Sequence, residues 1–590
     1  MDGGKAAGRI VAKTPRLRAP LLDIPRQRPR LGFQVVQQGL HEERLNRVQL
    51  FTPYALDFLD DVRPVEIVDA FACRRTAQQR CLTLRPLQNV AVIRAHAGEL
   101  RRGWRRCKSG GGFTPAPGWC YGSDMRYVST RGGVPPRDFL GVLTAGLAED
   151  GGLFVPESLP QLCASDWREL AALPYAELAA RIVYLFAGDC LTLAELRTMC
   201  AGAYAGFRRP AVVPLVQLEA GLWVQELFHG PTLAFKDLAM QLLGRMFEHE
   251  LTRSGKHVTI VGATSGDTGP AALAACADRT AIDIVMLHPQ GRTSEVQRLQ
   301  MTTVAAPNVL NLAIDGTFDD CQDLVKAMFA DAPFRSELHL SAVNSINWAR
   351  IAAQVPYYVF AALALGAPDR AVSFCVPTGN FGNVLAAWIA RGMGLPIHRL
   401  VVATNRNDIL YRFIEHQDMS VRPVTPSLAP SMDIQVSSNF ERLLFELLGR
   451  DPAATAETIR RFRRTGTMAV PHAAWSELRR HFRAARLDDE ATVEAIRELH
   501  EAYGYAADPH TAIAIAIARD LREPEIPMIA MATAHEGKFR EAVRKAILVQ
   551  PPLPPTLADL YERVEHVTRA PADLAAVQAR VRAFALRNAA

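Results

Sequence analysis

The chain has 590 residues, 49% of them hydrophobic, more than one core organises, which implies about two to four domains of a soluble globular protein. Its net charge of +6 is unevenly placed: residues 1–124 hold 21 Lys and Arg against 11 Asp and Glu, a net +10, while the other 466 residues hold 46 against 50, a net −4. A mildly acidic body argues against nucleic acid as the partner, ten scattered cysteines without a C-x-x-C pair argue against a disulfide scaffold or a metal site, and no uncharged apolar run of about 18 residues offers a membrane span.

From Met1 to about Ser123 there is no sustained helical or alternating period, and Pro, Arg and Gly punctuate the segment up to Ser109-Gly110-Gly111-Gly112. Residues 1–124 therefore read as a basic extension that is poorly ordered or lies upstream of the true start at Met125. No apolar stretch of the secretory kind follows the basic N-terminus, so a reduced, cytoplasmic compartment is expected. At Met125 the pattern changes. Asp138 to Leu143 opens a helix, Gly151-Gly152 turns into Leu153-Phe154-Val155-Pro156, and amphipathic helices run to about Phe186, giving a small helical domain over 125–210.

Beyond Pro210, apolar runs alternate with helical segments: 257–263 before 268–277, 282–287 before 293–303, 371–377 before 384–391, and 399–403 before 407–415. This alternation predicts an α/β core over 211–545, with parallel strands joined by crossover helices and ligands received at the strand ends. A Pro-rich stretch, Gln550 to Pro555, leads into an expected C-terminal helical tail within 546–590.

Three segments of the core carry chemistry. Lys236 follows His229-Gly230-Pro231-Thr232-Leu233-Ala234-Phe235 at the start of a helix, and its apolar neighbours Leu233, Phe235 and Leu238 would desolvate the amine and make it nucleophilic. Read alone, it is sooner an ordinary helix lysine whose head reaches to water. Thr378-Gly379-Asn380-Phe381-Gly382-Asn383 joins an apolar strand to a helix. Its glycines let the backbone approach a phosphate that the helix N-terminus would hold, or they form a turn with no ligand. Thr264-Ser265-Gly266-Asp267-Thr268-Gly269 again sits between strand and helix and suits a carboxylate or phosphate, or else simply caps the helix. Neither a G-x-x-x-x-G-K-[ST] nor a G-x-G-x-x-G nucleotide loop is present, so two anion loops and a desolvated lysine fit pyridoxal phosphate better than a nucleotide.

These strings resemble a known family. His229 to Asp237 is similar to the cofactor-lysine motif of the threonine synthases, Ala263 to Gly269 to their substrate loop, and Thr378 to Asn383 to the phosphate loop of fold-type II pyridoxal-phosphate enzymes. Met125 to Gly132, Pro430-Ser431-Met432-Asp433-Ile434, Asp508 to Ala512 and Thr533-Ala534-His535 match as well, so the resemblance runs from Met125 to about Arg540, in the longer bacterial and fungal branch. One departure stands out: where many relatives continue Thr-Ala-His with Pro-Ala-Lys-Phe, this chain has Glu536-Gly537-Lys538-Phe539.

The resemblance implies a tryptophan synthase β-like α/β fold with open, mostly parallel sheets and flanking helices, beside the small helical N-terminal domain. It implies that Lys236 carries pyridoxal 5′-phosphate as a Schiff base and then moves protons, that Thr378, Gly379, Asn380, Phe381, Gly382 and Asn383 hold the cofactor phosphate, and that the Thr533 hydroxyl meets the pyridine nitrogen. Ser265, Gly266, Asp267 and Thr268 are implied for the substrate carboxylate. Arg350, in Asn344-Ser345-Ile346-Asn347-Trp348-Ala349-Arg350, is a candidate for the substrate phosphate, with a structural ion pair as its alternative. The implied reaction converts O-phospho-L-homoserine and water to L-threonine and phosphate, with no metal, nucleic acid or membrane partner, in a monomer or homodimer. The alternatives are a related phospho-lyase that releases a 2-oxo acid, and a cofactor-binding homologue without turnover. A serine or threonine dehydratase is disfavoured because that loop usually reads Ser-Gly-Asn where this chain has Ser265-Gly266-Asp267.

Overall fold

The computed structural model describes residues 125–264, 266–342 and 346–589. The expectation for residues 1–124 lies outside these described residues, as do Ser265, Asn344 and Ser345 from the motifs above.

Strands Tyr127–Ser129 and Phe154–Pro156 pair antiparallel, with Val128 opposite Val155. Between them in sequence runs helix Phe139–Ala145, started by the Asp138 carboxylate, which accepts the Gly141 N–H at 2.7 Å. Helices Ala164–Ala171, Tyr175–Ala187 and Leu193–Tyr204 follow, and Thr192 with Glu195 forms a reciprocal cap on the third. The buried Tyr127 hydroxyl donates to the Phe186 carbonyl at 2.6 Å and ties the first strand to these helices.

The alternating segments beyond them fold into two sheets. In the larger, six strands lie in the order Phe482–Arg486, Ile397–Thr404, Val372–Pro377, Met528–Ala532, Leu222–Glu226, Leu215–Glu219, and each neighbouring pair is parallel except the last, which is antiparallel. The smaller is wholly parallel: Thr568–Pro571, Val309–Asp315, Ile282–Pro289, Val258–Ala263, Leu340–Ser341. Strands Val372–Pro377 and Ile282–Pro289 are buried along their whole length, as strands with both faces covered must be.

The two-residue period sorts the side chains into separate cores. Phe374, Val376, Ile529 and Met531 face a central cluster, while Cys375, Met528, Ala530 and Ala532 face a second one. In the smaller sheet Ile284 and Met286 join the same central cluster, and Val285 and Leu287 a third. One face of each sheet thus packs on a shared helical layer that includes Lys236–Ser254 and Val355–Ala364.

The C-terminal segment differs from the expected helical tail. Its helix, Leu574–Ala589, is preceded by strand Thr568–Pro571, which extends the smaller sheet beside Val309–Asp315. Ala570, Val577, Val581 and Phe584 bury against Leu312, Ile314 and Leu324. Short apolar spacing in Thr-Arg-Ala-Pro hid the strand, because only Ala570 of its four residues is buried. Among the described residues no helix is long and apolar enough to cross a membrane.

Candidate active site

Four loops converge at the carboxyl ends of the parallel strands. Leu222–Glu226 leads to the turn carrying Lys236, Met528–Ala532 leads to Thr533, Val372–Pro377 leads to Thr378–Asn383, and Val258–Ala263 of the other sheet leads to Thr264 and 266–268.

The lysine turn is clamped on both sides. Leu227 N–H donates to the Ala532 carbonyl at 2.9 Å, Phe235 N–H to the Thr533 carbonyl at 2.9 Å, and His535 N–H to the Leu233 carbonyl at 3.1 Å. Leu233 is held at φ 63, a left-handed conformation that costs a non-glycine residue roughly 1 kcal/mol or more. Asp237, buried, accepts from the Thr232 N–H at 2.8 Å and the Thr232 hydroxyl at 2.6 Å; burial raises its pKa to about 6. These bonds fix the first turn of helix Lys236–Ser254 and leave the Lys236 side chain running into a nearly dry interior.

There the Lys236 amine meets Asp267, with Nζ 3.4 Å from Oδ2. Burial pulls the amine below its usual range; Asp267 opposes the shift, and Arg350 and Lys538 add to it. The other Asp267 oxygen lies 2.8 Å from Lys538 Nζ, which is wholly buried and also donates to the Thr232 carbonyl at 2.7 Å. Gln297 Nε2 donates to the same oxygen at 2.8 Å. Burial alone would favour neutral Asp267, but Lys538 and then Lys236 outweigh it and hold the carboxyl well below the usual range. Asp267 therefore serves as a fixed anion between two lysines. It occupies the first position before helix Thr268–Cys276, yet its side chain makes no cap bond there.

The rest of that loop is braced by Thr264, whose hydroxyl oxygen accepts from the N–H groups of Gly266 at 3.2 Å and Gly269 at 3.1 Å. The Gly266 N–H, expected to face a substrate, is thus turned inward. Thr268 stands at the helix start, where first-turn N–H groups have no helical acceptor.

The glycine loop is gripped by the segment 431–439. Ser437 Oγ donates to the Gly379 carbonyl at 2.6 Å, and Asn439 N–H to the Asn380 carbonyl at 3.2 Å. A Cβ on Gly379 would stand 2.6 Å from the Ser431 carbonyl oxygen, so this glycine is required by backbone contact. Thr378 spends its hydroxyl on the Val376 carbonyl at 2.7 Å. Phe381, at φ 63, wedges its ring against Phe440 and Phe482 and starts helix Gly382–Gly392. Asn383 Oδ1 accepts from the Tyr357 and Tyr358 hydroxyls at 2.6 and 2.7 Å, and its buried Nδ2 has no partner among the described residues.

Ser431 joins the two anion loops. Its Oγ is 3.5 Å from Asp267 Oδ2, its carbonyl faces Gly379, and its N–H donates to His510 Nε2 at 3.2 Å. His510 accepts there, so its Nδ1 carries the proton and donates to Asp508 at 2.7 Å. Arg350 is buried, its pKa lowered to about 10 by that burial and opposed by Tyr357, and its charge reaches Lys236. Lys236, Asp267, Arg350, Thr533 and the 378–383 loop are thus brought to one place. The sequence reading passed over Lys538, Gln297, Ser431 and Asn439 as site residues. Lys538 and Ser431 stand inside strings it quoted, but Gln297 and Asn439 carry no signal of their own.

Three family models match in succession: "Threonine synthase N terminus" over residues 126–204, "Pyridoxal-phosphate dependent enzyme" over 207–476 and "Threonine synthase, C-terminal" over 511–581. A threonine synthase from Pseudomonas aeruginosa is 52% identical over 457 residues, 77% of this chain and 97% of that protein. Among solved structures, a threonine synthase from Brucella melitensis with pyridoxal phosphate bound is similar at 49% identity, with a TM-score of 0.77, covering 78% of this chain and all of that one. The yeast threonine synthase is similar at 36% identity and a TM-score of 0.75, covering 79% and 100%.

Proposed function

This chain belongs to the threonine synthase family of pyridoxal-phosphate-dependent enzymes, and from that premise we propose that it converts O-phospho-L-homoserine and water to L-threonine and phosphate. The observation that carries the reading is the Lys236 amine, desolvated and 3.4 Å from an ionised Asp267, at the meeting point of two anion loops.

The residues present fit a phosphate-bearing cofactor. At the glycine loop, Asn383 Nδ2 and Asn439 Nδ2 are buried donors without a partner among the described residues, and a Cβ at Gly382 would fill the space beside Asn439. Donors left unpaired in a dry interior are costly unless an anion takes them. When bound, pyridoxal 5′-phosphate supplies an electron sink for charge developing beside the substrate nitrogen.

The chain supplies the rest. Lys236 holds the cofactor covalently and, once freed, moves protons at the substrate α and β carbons. Burial lowers its proton affinity below that of a lysine in water, which favours the neutral, basic form of the amine. Asp267, paired with Lys538 at 2.8 Å, faces Lys236 at 3.4 Å and fixes where its amine stands. Gly379 to Asn383 present backbone and amide donors to the cofactor phosphate, with the dipole of helix Gly382–Gly392 behind them. The Thr533 hydroxyl would meet the ring nitrogen, Thr268 and the neighbouring backbone would receive the substrate carboxylate, and Arg350 the substrate phosphate. The same reading assigns 125–210 to a small helical domain, 211–545 to the catalytic core and 546–590 to a C-terminal segment docked on it, in the cytoplasm.

The test is product analysis with purified protein and O-phospho-L-homoserine. Equimolar L-threonine and phosphate are expected. Phosphate with a 2-oxo acid and no threonine would instead make the chain a phospho-lyase.

A further inference from the structure

We propose that Asn439 is an additional phosphate-binding residue: its side-chain amide, oriented by Arg442, donates to the phosphate monoester held by Gly379 to Asn383. The proposal rests on the cofactor reading above and names a residue outside the glycine loop itself.

Asn439 has no exposed surface. Its backbone N–H is fixed on the Asn380 carbonyl at 3.2 Å, so the residue is tied to the loop whatever its side chain does. Arg442 Nη1 donates to the amide oxygen, Oδ1. A guanidinium can only donate, so the amide cannot be the other way round, and Nδ2 must face away from Arg442. Nδ2 is the atom nearest to the place a Cβ would take on Gly382, at 3.3 Å, and it has no partner among the described residues. The group is thus a buried, oriented, unused donor beside the first residue of helix Gly382–Gly392, the end where a helix favours an anion.

Arg442 is itself held on every side. Nε donates to the Phe154 carbonyl at 2.9 Å, Nη2 to the Ile346 carbonyl at 2.6 Å, and the guanidinium lies 5.7 Å from the Trp348 ring centroid. Burial lowers its pKa to about 9, with Glu441 opposing, so it remains a cation at neutral pH. That positive charge also adds to the field at the loop. A chain of contacts therefore runs from strand Phe154–Pro156 of the N-terminal part through Arg442 and Asn439 to the phosphate position.

The experiment titrates the full chain, freed of cofactor, with pyridoxal 5′-phosphate and separately with pyridoxal, which lacks the phosphate, following the absorbance of the lysine-linked chromophore. Wild type binds the phosphorylated form far more tightly. Asn439→Ala should weaken pyridoxal 5′-phosphate by roughly tenfold to a hundredfold, the worth of one hydrogen bond to a charged group, and leave pyridoxal unchanged. Asn439→Asp, which still offers Arg442 an acceptor and so protects the fold if the alanine variant is unstable, should weaken the phosphorylated form further by placing like charges together. Equal losses for both ligands, or no loss for either, in the aspartate variant would overturn the assignment of Asn439. A wild-type chain with no preference between the two ligands would overturn the phosphate loop, and the proposal with it.

Discussion

Lys236 and Lys538 approach one carboxylate through its two oxygens, at 3.4 and 2.8 Å, so Asp267 is paired with Lys538 as well as with the lysine of the proposed chemistry. Lys236→Ala should abolish the protein-linked cofactor absorbance and lower turnover by on the order of 10³-fold or more, the scale of a lost general base. An unchanged spectrum with full turnover would refute the assignment. A second residue-scale prediction concerns His535 and Glu536, whose Nδ1 and Oε2 lie 3.2 Å apart. Burial, with Arg208, His229 and Lys538, lowers His535 from 6.5 to about 3; burial, with Asp508 and Glu226, raises Glu536 from 4.5 to about 7. Between about pH 4.5 and 6.5 the unfolded chain holds a proton on His535 and the folded chain holds one on Glu536, so the counts match and the pair adds no pH slope to stability. In Glu536→Gln the depressed histidine acts alone, and stability should fall as pH drops from 6.5 toward 3, by at most about 1.4 kcal/mol per pH unit. In His535→Gln the raised carboxyl acts alone, and stability should rise as pH falls from 7 to 4.5. Thermal unfolding across this range measures both slopes; parallel profiles for wild type and both variants would dispose of the idea.

At the scale of elements, the loop Thr378–Asn383 shows why two glycines of one motif differ. Sequence reasoning gives both the same purpose, close approach to a phosphate. In the structure the space at Gly379 is already filled by the Ser431 carbonyl at 2.6 Å and Ile434 Cδ1 at 3.0 Å, whereas the atoms nearest a Cβ on Gly382 stand farther off, Asn439 Nδ2 at 3.3 Å and Ile351 Cδ1 at 3.5 Å. Gly379→Ala should therefore destabilise the cofactor-free fold by about 1–3 kcal/mol, as overpacking does. Gly382→Ala should keep the fold within about 1 kcal/mol and lose cofactor affinity. Thermal unfolding of the cofactor-free proteins, set beside cofactor titrations, separates the two; a common pattern for both variants would contradict the distinction. Two of the eight non-glycine residues at positive φ among the described residues, Leu233 and Phe381, lie in the lysine turn and in this glycine loop, where local strain is held by surrounding contacts.

For the whole molecule, the site draws on both sheets, with Thr264 and 266–268 from the smaller and the other three loops from the larger. Whatever stabilises the smaller sheet therefore supports the site. A chain ended after Glu565 loses strand Thr568–Pro571 and the helix behind it, uncovering Leu312, Ile314 and Leu324 together with the free edge of Val309–Asp315. It should express as aggregated protein, since an unpaired apolar edge templates association; a soluble, active product would show the segment to be dispensable. At the other end, the family models begin at residue 126, and the net +10 of residues 1–124 is foreign to the acidic body. A chain begun at Met125 should keep full cofactor content and turnover, measured against the full-length protein at equal concentration, and loss of either would assign the extension a part in the enzyme.

The sequence by itself determined what is local or repeated by kind. Short apolar runs and helical periods placed the alternating strands and helices within one or two residues, and the strings around Lys236, Asp267 and Gly379 carried the family, because a strand, a turn and a helix start are each set by neighbours along the chain. Tertiary structure alone decided which loops meet. Lys538 reaches the Thr232 carbonyl across 306 residues and Arg442 reaches Phe154 across 288, separations at which no periodicity carries information. It also decided what each polar group faces. Asp267 reads as a cap or a substrate contact from its loop and becomes the anion between two lysines once burial and two approaching amines act on it together. Asn439 is one amide among many until the guanidinium of Arg442 fixes which way it points. Burial and direction are properties of the assembled interior, where water no longer satisfies every group, and that is where the chemistry of this site is settled.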